Sequence, residues 1–184
     1  MQLFHVSEES GIEVFEPRTG ADGGEAVVWA VREDRLSNYL VPRDCPRVTY
    51  YAADRTTDAD IARFLGSSRC VLAIESAWLS RVRQARLFCY RLPGETFACT
   101  DENAGYYQSR DAVTSIGVDV VDDCLDALTA RGVEVRVLPS LWRLRDEVVD
   151  STLGFSMIRM RNAQPRPVEP VGPSQRAGRG APIG

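Results

Sequence analysis

The sequence predicts a single α+β domain, and three observations carry that prediction. The chain has 184 residues, 44% of them apolar, which suits one hydrophobic core rather than two. Short β-prone apolar runs recur at residues 26–31, 48–52, 70–74, 87–92 and 133–138. The helical patterns between them do not alternate strictly with the strands, so segregated sheets and helices are expected rather than a doubly wound parallel sheet. Composition then shifts: residues 1–162 read as the domain, and residues 163–184, rich in Pro, Gly, Arg and Ser, read as a disordered tail that cannot bury enough apolar surface to offset its ordering entropy.

In chain order, residues 2–6 form a first strand, with His5 and Ser7 on one side and Phe4 and Val6 on the other. A polar turn at residues 7–11 and a glycine-rich loop at 19–24 precede the buried strand 26–31. Residues 32–40 read as a short helix with Leu36, Tyr39 and Leu40 on one side, ended by Pro42. The segment Pro42-Arg43-Asp44-Cys45-Pro46-Arg47 follows, and then a strand at 48–52. A helix at 57–65 is capped by Thr57 and stopped by Gly66. Strand 70–74 leads into a helix at 75–86, and strand 87–92 ends at Pro93-Gly94. An irregular stretch and a strand at 112–118 come next. A helix at 119–131 carries Val120 or Val121, Cys124, Leu125 and Leu128 at helical spacing. Strand 133–138 puts Glu134 and Arg136 on a polar, salt-bridged face. A helix at 141–149 and a strand at 155–160 complete the domain.

Several function classes are excluded or disfavoured. All 22 basic residues are arginine, so Schiff-base chemistry and a Walker-type phosphate loop, which need the lysine amine, are absent. No glycine-rich phosphate loop follows any strand, which removes a Rossmann dinucleotide site. The net charge of −4 gives no basic face for nucleic acid. No signal peptide or spanning run is present, and Cys45, Cys70, Cys89, Cys99 and Cys124 are odd in number without a CxxC pair. No disulfide framework or metal site is expected, and a cytoplasmic location with reduced thiols follows.

Three residues invite chemistry. His5 is the only histidine and is either a hydrogen-bonded structural residue or a functional one that needs partners elsewhere in the chain. Cys45 lies between Arg43 and Arg47, whose charge would favour a thiolate; with His5 as base it gives a cysteine hydrolase as one alternative. Arg18, Arg43 and Arg47 give a second: a non-catalytic nucleotide- or anion-binding module.

Two resemblances add to this. The strings Leu-Phe-His-Val-Ser-Glu-Glu at 3–9, Pro-Arg-Asp-Cys-Pro-Arg at 42–47 and Ser-Thr-Leu-Gly-Phe-Ser-Met-Ile-Arg-Met-Arg-Asn-Ala at 151–163 resemble a family of short bacterial proteins of unknown function. More distantly, His5 with Ser7, Val27-Val28-Trp29-Ala30, the 86–94 strand and turn, Asp101-Glu102 and Tyr106-Tyr107-Gln108-Ser109 resemble, in order and spacing, ADP-ribosyltransferases of the rifampin-modifying type. That resemblance implies a split β-sheet flanked by helices, with NAD as co-substrate in the cleft and a small molecule or macromolecule as acceptor. His5 would bind the nicotinamide-side ribose, and Trp29 or Tyr39 would pack on nicotinamide. Ser7 and Ser109 would complete the NAD site. Asp101, with His5 as the other catalytic residue, would stabilise the developing oxocarbenium charge. The chain departs from that pattern in having tryptophan at the strand position of a tyrosine and in lacking Glu-x-Glu.

Overall fold

The computed structural model describes residues 1–20, 23–102 and 104–167. Its strands are β1 (Gln2–Ser7), β2 (Val14–Phe15), β3 (Val28–Val31), β4 (Arg47–Tyr51), β5 (Cys70–Glu75), β6 (Leu87–Pro93), β7 (Ala98–Asp101), β8 (Tyr106–Ser109), β9 (Val113–Thr114), β10 (Gly117–Val121), β11 (Val133–Leu138) and β12 (Gly154–Ile158). The helices are α1 (Asp58–Asp60), α2 (Leu79–Gln84), α3 (Cys124–Thr129) and α4 (Trp142–Val149). The α+β class predicted from the sequence is what the chain adopts.

Two large sheets organise the domain. One has six strands in the order β10-β6-β1-β3-β8-β7, and the other has four in the order β11-β5-β4-β12. All pairings in the first are antiparallel, and only β11 with β5 is parallel in the second. A two-stranded ribbon, β2 with β9, lies apart.

Alternation along the strands divides the buried residues among three cores. Phe4 and Val31 from the six-stranded sheet meet Leu72, Ile74 and Val133 from the four-stranded one, with Leu36, Leu40, Val82 and Leu128 between them. This inter-sheet core is the largest. On the outer face of the four-stranded sheet, Val48, Tyr50, Val71 and Ala73 pack under Phe64, Leu65, Leu141 and Val148. On the outer face of the six-stranded sheet, Leu3, Val28, Ala30, Tyr90 and Leu92 are covered by Phe15 of β2 and Val113 of β9. Burying side chains of this size stabilises the fold by ~1.5–3 kcal/mol each.

Some elements differ from the sequence reading. Residues 32–40 form a 3-10 helix, Glu33–Tyr39, not an α-helix. The helix expected over 57–65 has the Thr57 cap, with Asp60 N–H donating to Thr57 Oγ1 at 3.3 Å. It then widens into a π-helical turn at Ile61–Leu65 before Gly66 at φ 58°. The helix expected over 119–131 is confined to α3; residues 117–121 are instead β10, paired with β6. Asp123 marks the change, its Oδ1 accepting from Leu125 N and Asp126 N at 2.9 and 3.0 Å. Glu134 and Arg136 form the expected ion pair at 2.6 Å, and Arg136 also donates to Tyr50 OH at 2.7 Å.

The tail expectation divides. Residues 168–184 lie outside the described residues. The first tail residues, 163–167, are fastened to the domain, contrary to the boundary drawn at 162. Gln164 O accepts from Trp142 Nε1 at 2.7 Å, and Arg166 pairs with Asp146 and stacks on Trp142 at 5.4 Å.

Candidate functional site

His5 sits in the middle of β1, flanked on one side by β6 and on the other by β3. Its ring lies on the outer face of the six-stranded sheet, tilted against Phe15 at a centroid distance of 4.8 Å. His5 Nδ1 is 2.7 Å from Trp29 O. A carbonyl only accepts, so Nδ1 carries the proton and the ring is the Nδ1–H tautomer. Nε2 is then a lone-pair acceptor, and among the described residues no group donates to it.

The ring is also held neutral. Burial pushes its pKa below the ordinary 6.5, the Trp29 carbonyl partly opposes this, and the positive charges of Arg43 and Arg18 add to the lowering. Because the folded value is depressed, the stability that neutral His5 contributes is present above pH 6.5 and is lost as pH falls through the folded value. Arg18 and Arg43 are exposed, and neither belongs to an ion pair among the described residues. Arg18 is brought near by a bridge to Val27, beside β3. Arg43 is placed by its own backbone, whose N–H donates to Glu8 Oε1 at 2.7 Å. One neutral acceptor and two cations outside any ion pair among the described residues therefore share a neighbourhood at β1.

The other residues expected to act with His5 are arranged differently. Trp29 lies on the opposite, inner face of the sheet, because its neighbours Val28 and Ala30 occupy the outer one. There Trp29, 44% exposed, packs edge-on against Tyr106 at 5.8 Å, and Tyr39 joins them through a 2.7 Å hydroxyl–hydroxyl bond to Tyr106. His5 thus touches the backbone of Trp29 and not its indole. Ser7 Oγ accepts from Glu9 N at 3.0 Å and shapes the turn after β1. Ser109 is buried, and its hydroxyl is occupied by Thr96 and by the backbone of Asp111.

Asp101 is not brought to His5. It lies opposite Tyr106, which lies opposite Val31, which lies opposite Phe4. Three strand spacings, about 14 Å, separate it from the residue next to His5. Its Oδ1 accepts from Ala104 N at 2.9 Å and fixes the β7–β8 turn. Catalytic groups acting on one bond must reach the same reacting atoms, so the His5–Asp101 pairing inferred from the resemblance is corrected by the strand order.

Cys45 is corrected too. It is fully buried, and burial pushes its thiol up to about 12, with Arg47 opposing and Glu75 adding to the rise. The arginines around it do not make it a nucleophile, because desolvation of the thiolate outweighs their attraction. Cys89 and Cys124 are likewise buried and pushed up to about 11 by burial, whereas Cys99 is exposed. We expect mild alkylation of the native protein to label Cys99 fast and Cys45 only on unfolding. Peptide mass mapping reads this directly, and rapid labelling of Cys45 would restore the hydrolase alternative.

Arg47 has a different part. It is 2% exposed, and no carboxylate pairs with it among the described residues. Its Nε donates to Asn38 O at 2.9 Å and its Nη1 to Pro42 O, Arg43 O and Cys45 O at 3.3, 3.2 and 2.9 Å. Burial pulls its pKa down to about 10. Arg47 therefore organises the loop that presents Arg43. The same loop is gripped from the C-terminal side. Asn162 Nδ2 donates to Asp44 O at 2.8 Å, and Arg159, in the left-handed region at φ 55°, approaches Asp44 at 3.7 Å.

Sequence reasoning had singled out His5, Arg18 and Arg43, though not as one group. It missed Phe15, which packs on His5, and Glu75, which is fully buried. Phe15 stood in a short apolar patch before a proline, and that context gave no sign of which ring it would meet. Among the described residues no cluster of three or more metal-ligating side chains occurs, and no helix is long and apolar enough to cross a membrane.

A family model described as a family of unknown function (DUF6886) matches residues 4–163. No curated protein and no solved structure matches the chain.

Proposed function

We propose that this chain, which belongs to the DUF6886 family of unknown function, binds a ribose-phosphate ligand of the nucleotide type at the His5 end of the six-stranded sheet. The observation that carries the reading is the state of His5. A neutral imidazole has one nitrogen tied to Trp29 O and the other left as an acceptor, with Arg18 and Arg43 close enough to depress its protonation. An acceptor of this kind suits a sugar hydroxyl, and two unpaired guanidiniums suit phosphate oxygens. NAD combines both groups, and the resemblance to rifampin-type ADP-ribosyltransferases makes it the first ligand to test. Binding is the part of that resemblance the geometry supports. Asp101 is too far from His5 to act in a transfer step, and no catalytic residue is assigned.

Calorimetric titration of NAD and of ADP-ribose at pH 8 tests the proposal. His5→Ala and the Arg18→Gln/Arg43→Gln double variant are each expected to weaken binding about tenfold or more, the loss of one or two charge-assisted or buried hydrogen bonds. Binding of neither ligand at millimolar concentration, or equal affinity in the variants, overturns it. Release of free nicotinamide on incubation with NAD would add an enzymatic step to the binding function.

A further inference from the structure

The outer edge of the six-stranded sheet carries a self-complementary surface. β10 is the terminal strand, paired only with β6 among the described residues. It holds no proline and no lysine, two of the usual devices that keep an edge from pairing, and its one charge is Asp119. Two apolar side chains line one face of this edge at alternating positions, Val118 and Val120, 44% and 45% exposed, and Ile116, 61% exposed, sits in the bend just before the strand. Val118 lies opposite Tyr90 and Val120 opposite Phe88, so both continue the outer face. On the inner face, Gly117 lies opposite Arg91 and Asp119 opposite Cys89. The Arg91 guanidinium lies across Gly117, in space that a Cβ there would occupy. Its Nε is buried without a hydrogen bond, because Asp119 Oδ2, at 3.8 Å, is too distant to accept one.

We propose that two copies of this chain join β10 to β10 in antiparallel register about a two-fold axis at Val118, making one continuous twelve-stranded sheet. The register follows from what each face then meets. An antiparallel dyad must pass through a residue, since directly opposed residues share a face. At Val118 the outer face of the strand pair becomes apolar: Val118 meets its copy, and each Val120 falls beside the other copy's Ile116, at the entry to its β10. On the inner face each Asp119 falls opposite the other copy's Gly117. Only that glycine lies between it and the Arg91 guanidinium, whose Nε needs an acceptor. A dyad at Asp119 would instead oppose two carboxylates, which disfavours it. The contact is isologous, closes at two copies and removes the exposed edge.

A five-residue strand pair with two outer-face valines per copy is small beside a standard interface of ~800 Å² per partner, so half-association is expected at roughly 10–100 µM. Sedimentation equilibrium across that range should show a monomer–dimer equilibrium. Val118→Arg, which sets two cations against each other at the axis, should be monomeric throughout with an unchanged circular dichroism spectrum. In a Cys99→Ser background, Val118→Cys should form a disulfide dimer on mild oxidation, and Val120→Cys, opposite Ile116, should not. A wild-type chain that stays monomeric at several hundred micromolar overturns the proposal. So does association of Val118→Arg equal to wild type, or preferential cross-linking through Val120→Cys.

Discussion

Replacing Arg47 by alanine is expected to destabilise the domain by about 3–5 kcal/mol, the cost of leaving buried carbonyl acceptors without a donor together with the lost packing of a long side chain. Four carbonyl groups, those of Asn38, Pro42, Arg43 and Cys45, now receive hydrogen bonds from this one guanidinium. A shortened side chain leaves Asn38 O and Cys45 O buried and unpaired, at ~1–3 kcal/mol each unless water enters, whereas Pro42 O keeps the Cys45 N–H at 2.9 Å and Arg43 O lies nearer to solvent. Arg47→Lys is expected to recover little. An ammonium is a point donor and cannot span the 3-10 helix end and the loop as a planar fork does. Urea unfolding monitored by circular dichroism gives the number: a midpoint lowered with unchanged slope. Against a total stability of ~5–15 kcal/mol, the alanine variant will stand near the edge of folding. A cost below ~1 kcal/mol would mean that water replaces the guanidinium. The functional corollary is separate. In the folded fraction, ligand affinity should fall as well, because the loop held by Arg47 also carries Arg43 to His5.

The Pro42–Arg47 hexamer shows what a sequence of this kind conveys. Two prolines and two arginines around a thiol and an acid announced a stiff loop, and the loop is tied down by hydrogen bonds from Arg47 and Asn162. The sequence could not say which arginine points inward. Arg43 is exposed and Arg47 buried, a difference set by register: Arg47 opens β4 opposite Ile74 on a face that looks into the inter-sheet core. The same lack of register information scattered the predicted site. Alternation within β1 correctly put His5 and Ser7 on one side, but relating that side to Trp29 required knowing that β3 is the neighbour of β1. Relating it to Asp101 required knowing that β3 and β8 both intervene. Order along the chain carries no strand order, and the antiparallel sheet here pairs residues as far apart in the chain as Gln2 and Pro93.

The helix expected over 119–131 fails at its start for a local reason. Val121, Cys124, Leu125 and Leu128 recur at helical spacing, and one helix explains them economically. Three of its residues, Asp119–Val121, nevertheless continue the strand of Gly117 and Val118 and pair with β6, where Val118 and Val120 alternate with Asp119. The legible sign was Asp123, an N-cap residue in the middle of the supposed helix, whose side chain caps α3. A helix start inside a continuous helical pattern is a contradiction, and it marks the true boundary.

Glu75 offers the second large effect. It ends β5 with no solvent exposure, and its carboxylate joins two distant pieces of backbone. Oε1 accepts from Leu141 N at 3.2 Å, at the start of α4, and Oε2 accepts from Gln164 N at 2.9 Å. Gln164 is held from its other side by Trp142, so Glu75 is the inner anchor of the strap at 163–167. Hydrogen bonds to a charged acceptor contribute ~1.5–3 kcal/mol each, so Glu75→Ala is expected to cost about 3–5 kcal/mol by urea unfolding. Glu75→Gln keeps one acceptor and sets an amide N–H₂ against a backbone N–H, so about half that cost is expected. The two variants also separate local from global loss. If the carboxylate chiefly fastens the strap, Glu75→Gln should speed tryptic cleavage at the Arg161–Asn162 bond under native conditions and red-shift the emission of Trp142, while the unfolding slope stays unchanged. Cleavage no faster than in the unaltered protein would show instead that Trp142 and the Arg166–Asp146 pair hold the strap by themselves. Glu75 would then serve only to anchor the entry to α4.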